Sequence, residues 1–386
     1  MNKNYLFLAA AATILASCAE SEKLNNGFNA QENPVVIGFS TYSENATKAI
    51  DNENDLEFYH GTFAVYATKK STTDTSAPTE VVFRGEDDPV DANLKADIIT
   101  YDETKMAPNN WTYAPYRYWD KQATYNFVAV APNTSIIKYN MPTNVADGEG
   151  TYVTTAAYKL EGQNLQSSTA PAESEIKKGF VGGTGKDTDL MTAGKQTKSG
   201  SAPSEVNFIF KHILAKLNIS IAKDPTLDNT KVLIKSVEVT GLADQGTYVE
   251  TSSTTASGWS ASASANAANY KLSWANANGI ELLKGTGSGE NYEPGKALYF
   301  IESLIMPQTI ETNIEELKIN YTIVSGTNAE NYVYVLKLDD GTIKVFENFM
   351  EGNNYTIKLT VKPNIITFDA STAVWADKTA TANTYQ

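Results

Sequence analysis

The sequence predicts an all-β protein. Tyrosine, phenylalanine, valine, isoleucine and threonine suit a pleated, half-buried surface, and they recur throughout, with 21 tyrosines and 14 phenylalanines. Short runs alternate apolar with polar residues, the period of a strand with one covered face. No apolar stripe of period about 3.6 continues over several turns, so no amphipathic helix competes. Turn signals roughly every 8 to 12 residues point to sandwiches or open barrels.

The chain opens differently. Lys3 precedes an apolar stretch from Tyr5 to Leu15, then Leu15-Ala16-Ser17-Cys18. A basic start, a short apolar run and a small-residue cleavage site make a signal peptide over residues 1–17. The run is too short to span a bilayer as a stable helix. Leu-Ala-Ser-Cys resembles a bacterial lipobox, and Cys18 is the only cysteine of the chain. Cleavage between Ser17 and Cys18 with acylation of the thiol would tether a soluble body to a membrane. An ordinary signal peptide ending in a chance cysteine is the plainer alternative. Residues 18–33 are polar and aperiodic, a flexible tether.

Pro34 opens the first expected strand, Pro34 to Phe39, with Val35, Ile37 and Phe39 on one face. A polar stretch from Ser40 to Asp55 follows. Phe63 to Ala67 alternates, as does Thr124 to Ala131, which ends at the turn signal Pro132-Asn133. Between them, Trp111 to Trp119 is dense in aromatics. From Met141 to Ser204 the pattern weakens into expected long loops with room for one short helix. Lys195 to Ser204 is the expected boundary between two domains, 34–204 and 205–386.

The second half is more regular. Phe208 and Phe210 share one parity, whereas Ile213, Ala215, Leu217, Ile219 and Ile221 share the other. A one-residue slip turns every side chain to the wrong face, so a bulge or short turn is expected near Lys211-His212. Val232 and Ile234 against Val237 and Val239 repeat the device. Leu317 to Ile323 and Tyr355 to Val361 alternate cleanly. Asp339-Asp340-Gly341 is expected to join Tyr332–Leu338 to Ile343–Phe349 as a hairpin.

Little in the chain points to catalysis, a metal or a cofactor. With 45 acidic against 31 basic residues and a net charge of -14, a nucleic-acid partner is disfavoured. His60 and His212 are the only histidines, and no cysteine remains after acylation, which argues against a zinc site. Gly182 to Asp187 imitates a phosphate loop, but Phe180 stands where glycine is needed and Asp187 where Ser or Thr is needed. Trp111, Tyr113, Tyr116, Tyr118 and Trp119 could form a sugar-stacking platform or, more simply, line a core.

In their order along the chain these features resemble the fimbrillin-like proteins of Bacteroidetes. The resemblance rests on the lipobox, on Val36-Ile37-Gly38-Phe39-Ser40 followed by Ala46-Thr47-Lys48-Ala49, and on Asp189-Leu190-Met191-Thr192-Ala193. It rests most on Phe208-Ile209-Phe210-Lys211-His212-Ile213-Leu214-Ala215-Lys216-Leu217. It implies two tandem transthyretin-like β-sandwiches, no enzymatic activity, no cofactor, and lipid-anchored display on the outer membrane. It implies other pilin subunits as partners and adhesion to a host or bacterial surface. It also implies protease cleavage after a basic residue, here between Lys48 and Ala49, that frees the Val35, Ile37 and Phe39 strand for replacement by a neighbour's. The competing class is a glycan-binding surface lipoprotein on the same anchor.

Overall fold

The computed structural model describes residues 34–43, 61–85, 97–101, 111–132, 136–140, 151–154, 158–161, 164–167, 187–251, 258–262, 272–286, 293, 295–312 and 314–374. Among these the regular structure is all strand, apart from one 3-10 turn at Pro225–Leu227. The short helix expected between Met141 and Ser204 does not occur among the described residues.

The first twelve strands are β1 Phe39–Ser43, β2 Thr62–Ser71, β3 Glu80–Arg84, β4 Ile98–Tyr101, β5 Trp111–Thr112, β6 Ala123–Ala131, β7 Ile137–Asn140, β8 Thr151–Thr154, β9 Tyr158–Lys159, β10 Asn164–Ser167, β11 Met191–Ser199 and β12 Val206–His212. Eight of them form one sheet in the order β1-β12-β11-β6-β2-β4-β5, with β3 also on β2. Lys195–Ser199 was expected in a loop, but it lies within β11, whose residues 196–199 pair with β6. Its small and polar side chains hide the strand signal, because they need no apolar face to complete a ladder.

This sheet curls around its own core. Phe39, Phe63, Val65, Phe83, Ile99, Trp111, Tyr125, Phe127, Phe208 and Phe210 form one buried cluster drawn from seven of its strands. The sheet's opposite face is covered too. Ala64, Tyr66, Val128 and Val130 belong to the second core, together with Leu214, Leu217 and Tyr248. Phe63 to Ala67 is therefore buried at every position, where one-sided alternation was expected.

The remaining strands are β13 Ala215–Lys223, β14 Lys231–Thr240, β15 Gln245–Thr251, β16 Trp259–Ser262, β17 Leu272–Glu281, β18 Leu298–Ile305, β19 Gln308–Thr309, β20 Glu316–Ser325, β21 Asn328–Lys337, β22 Asn348–Phe349, β23 Asn353–Val361 and β24 Ile366–Val374. Two sheets, β10-β17-β14-β20-β21 and β18-β13-β23-β24, carry most of the second core. Val232, Ile234, Val237, Val239, Leu317 and Ile319 come from one, and Leu217, Ile219, Ile221, Ile357 and Leu359 from the other. Trp274 and Phe300 join them edge to face, with ring centroids 4.8 Å apart. Smaller sheets, β16-β15-β8-β7 with β9 on β15 and the pair β19-β22, lie beside them in sequence.

The parity change after Phe210 has a structural cause. β12 ends at His212 in the eight-stranded sheet, and β13 begins at Ala215 in the four-stranded one. Ile213 and Leu214 bridge the two, with the Ile213 N–H donated to Leu190 O at 2.9 Å. The second parity change is a bulge in β14 between Ile234 and Ser236, present against both neighbours. At Asp339-Asp340-Gly341 the turn forms, with Gly341 at φ 83°. The Asp340 carboxylate accepts the N–H groups of Thr342 and Ile343. The expected partner strand Ile343–Phe349 does not follow. The return is limited to one bridge, Asp339↔Lys344, with the Val345 N–H donated to Leu338 O at 2.8 Å; beyond it Phe346 and Phe349 pack on Tyr355, with centroids 5.0 and 4.9 Å away, and β22 pairs with β19.

Candidate functional site: the first strand and its groove

The first strand runs later than the sequence suggests. Residues 34–38 are not a strand, and β1 covers Phe39–Ser43. Val36 makes a single bridge to Tyr118. The buried parity is Ile37, Phe39 and Thr41, at 0, 1 and 2% exposure, whereas Val35 is 49% exposed. Of the three residues expected on the inner face, Ile37 and Phe39 are there and Val35 is not. Thr41 takes the third position. It was missed because Ser40 onward is polar, yet threonine suits a pleated strand well.

Among the described residues β1 is an end strand and pairs only with β12, in parallel, from Phe39↔Val206 to Ser43↔Phe210. The residues just before it turn to the opposite end of the sheet. Ile37 N–H is donated to Arg117 O at 2.9 Å, just beyond β5. Tyr113 Oη donates to Ile37 O at 2.9 Å, and burial pushes the Tyr113 hydroxyl up to about 12. Residues 36–43 thus form the seam where the curled sheet meets itself.

Phe39 sits at the centre of the groove. Its ring lies 5.5 to 6.3 Å from those of Phe63, Phe83, Tyr113, Phe127 and Phe208, stacked on Phe208 and edge-on to the others. The Arg117 guanidinium covers the Phe83 ring at 4.4 Å and pairs with the buried Asp97 at 2.5 Å. Asp97 also accepts the Arg84 N–H at 2.5 Å, tying the β3 end to the seam. On the other side, Ser40 donates to Asn207 Oδ1, and Val206 N–H is donated to Gly38 O at 2.9 Å. Burial raises the Glu205 carboxyl above its ordinary range, against a smaller opposing hydrogen bond from Ser40.

The aromatic run divides. Trp111, Tyr113 and Trp119 are core residues, whereas Tyr116 and Tyr118 are exposed. His212 sits beside Asp189, Nδ1 to Oδ2 at 2.7 Å, so two segments that carried the resemblance meet across β11 and β12. Ser17, Cys18, Lys48, Ala49 and His60 lie outside the described residues. Among the described residues, no three His, Cys, Asp or Glu side chains converge as a metal site.

A family model described as fimbrillin-like matches residues 47–375. The chain belongs to the fimbrillin-like family. This fimbrillin-like chain is similar to the fimbrium subunit Fim1C of Phocaeicola vulgatus, 23% identical over 98% of this chain and 97% of the relative. The crystal structure of a fimbrial protein from Bacteroides vulgatus aligns with a TM-score of 0.47 and 18% identity, covering 88% of this chain and 99% of the other. The tip fimbrial protein Mfa3 from Porphyromonas gingivalis, C-terminally truncated, aligns at 0.31 and 8%, covering 83% and 97%.

Proposed function

We propose that the protein is a fimbrial subunit: a lipid-anchored cell-surface protein whose first strand is exchanged for that of a neighbouring subunit. Membership of the fimbrillin-like family supports the fimbrial role, as does the likeness to a fimbrium subunit. One observation carries the mechanism. Among the described residues β1 pairs with β12 alone, yet Phe39 on it and Ile37 just before it lie in the middle of the aromatic core. A segment held by one ladder of hydrogen bonds, the Ile37 bonds to Arg117 and Tyr113, and two deep apolar anchors can leave without unravelling the sheet's interior. It then exposes unpaired backbone groups and apolar pockets that another strand can fill.

Cleavage at Lys48-Ala49 would free β1 at its C-terminal side, five residues past Ser43. Acylation of the Cys18 thiol, with cleavage from Ser17, would hold the unassembled subunit on the outer membrane. The presence of two buried cores supports two tandem sandwiches, residues 34–204 and 205–386, with Tyr66, Val130 and Tyr152 of the first half contributing to the second core. Its role is structural and adhesive rather than enzymatic.

The test is limited digestion of the purified full chain with trypsin, followed by N-terminal sequencing and size analysis. Cleavage after Lys48 should turn a monomer into oligomers that persist in unboiled detergent. A chain that is cut there and stays monomeric at high concentration, with no added strand bound, would exclude strand exchange. It would favour the glycan-binding lipoprotein reading.

A further inference from the structure

A second feature is built from strands outside the eight-stranded sheet. An open cleft of about 610 Å³ is bordered by β16, β19, β22 and the loops at Gly241 and Ile314. That is within the size range of ligand sites. Its walls are tied together from within. Gln308 Oε1 accepts the Ala243 N–H at 2.9 Å, while its amide donates to Met306 O at 3.1 Å. Glu315 is buried and accepts the Glu311 N–H at 2.9 Å. Gly241, at φ 86°, lets its loop approach Ile314 so closely that a Cβ there would lie 2.4 Å from the Ile314 carbonyl oxygen.

Trp259 is the central wall. It is half-buried, and its Nε1–H is donated to Ile213 O, which fixes the ring. Tyr248 lies 5.2 Å away between centroids, and Gly246 leaves room for the ring edge, where a Cβ would come within 3.0 Å of Cε3. Around this fixed ring stand the exposed polar side chains of Ser260, Thr309, Glu311 and Asn348. Among the described residues no Lys, Arg or His lines the cleft, and Glu311 and Glu315 are its ionisable side chains.

We infer that this cleft binds a short, neutral oligosaccharide. A pre-set indole offers an apolar wall to the C–H face of a sugar, with the indole N–H already satisfied inside the protein. Hydroxyl groups find an acceptor in Glu311 and both donor and acceptor atoms in Asn348, Ser260 and Thr309. The two carboxyl groups and the missing cation disfavour an acidic sugar or a phosphate. The site does not include the exchanged strand, since β16, β19 and β22 are outside the eight-stranded sheet.

The experiment is calorimetric titration of the purified full chain. The probes are neutral di- and trisaccharides of glucose, galactose, mannose, N-acetylglucosamine and N-acetylgalactosamine, with sialylated counterparts. At least one neutral probe should bind and shift tryptophan emission, and its sialylated counterpart should bind more weakly. Trp259→Ala should weaken binding about tenfold or more, as truncating a central aromatic anchor does. Glu311→Ala and Asn348→Ala, both at exposed side chains, should weaken it while leaving the thermal melting point unchanged. The inference is overturned if no neutral probe binds, if sialylated probes bind more tightly, or if binding survives the Glu311→Ala and Asn348→Ala changes undiminished.

Discussion

Phe39→Ala is the sharpest test of the groove. The ring is 1% exposed and has five aromatic neighbours. Removing it forfeits the transfer energy of a buried phenyl group and leaves a cavity that rigid rings on β2, β3, β6 and β12 cannot collapse to fill. Such a change costs about 3 to 5 kcal/mol. A domain of ordinary stability has roughly 5 to 15 kcal/mol in all, so the loss is large. Val35→Ala is the matched control. Half-exposed and outside the strand, it should move stability by no more than about 0.5 kcal/mol. Urea unfolding of the uncut chain gives the first readout, as a fall in midpoint with an unchanged slope. The second uses a synthetic peptide of residues 34–43, offered to protein already cut after Lys48. If β1 is exchangeable, the peptide should replace the resident strand. Alanine at position 39 should weaken its binding roughly 10²- to 10⁴-fold, the same energy expressed as affinity. Equal effects of Phe39→Ala and Val35→Ala in both assays would refute the claim that this ring anchors the strand.

Asp97→Ala should destabilise by about 3 to 5 kcal/mol, since it strips the buried partner from Arg117 and frees the Arg84 N–H; unfolding midpoints measure this. Tyr113 titrates near 12, above its ordinary 10.0, because burial disfavours the tyrosinate. Its contribution to stability is therefore complete below pH 10.0 and lost as pH rises through about 12. In that window β1 peptide exchange should accelerate, and Tyr113→Phe should remove that acceleration. Gly241→Ala should cost about 1 to 3 kcal/mol through strained backbone and collision with Ile314 O, and should abolish saccharide binding in the same titration. Cys18→Ala should release the protein from membranes or leave an uncleaved precursor; unchanged partitioning into detergent would remove the anchor.

What the sequence alone determined is whatever depends on local alternation and on a few residue types in a fixed order. The strand class followed from period-two runs such as Tyr355–Val361, whose alternate side chains are all buried. Both parity breaks were legible, because a strand that changes its buried face must bulge or change sheet, and β14 and the β12–β13 junction do these two things. The order of motifs carried the family. Other features depended on the tertiary structure. Residues 63–67 are buried throughout because a second core covers the back of their sheet. β11 was hidden because Gln196–Ser199 pairs through its backbone and needs no apolar code. Val35 looked equivalent to Ile37 and Phe39, yet only the closing of the sheet on Arg117 and Tyr113 decides where the buried parity begins. The cleft at Trp259 could not be read at all. Its walls come from segments up to about a hundred residues apart, brought together by backbone approach at Gly241 and Gly246. Alternation records which face of a strand is dry, whereas the location of that face and the strand able to leave it are properties of the closed sheet.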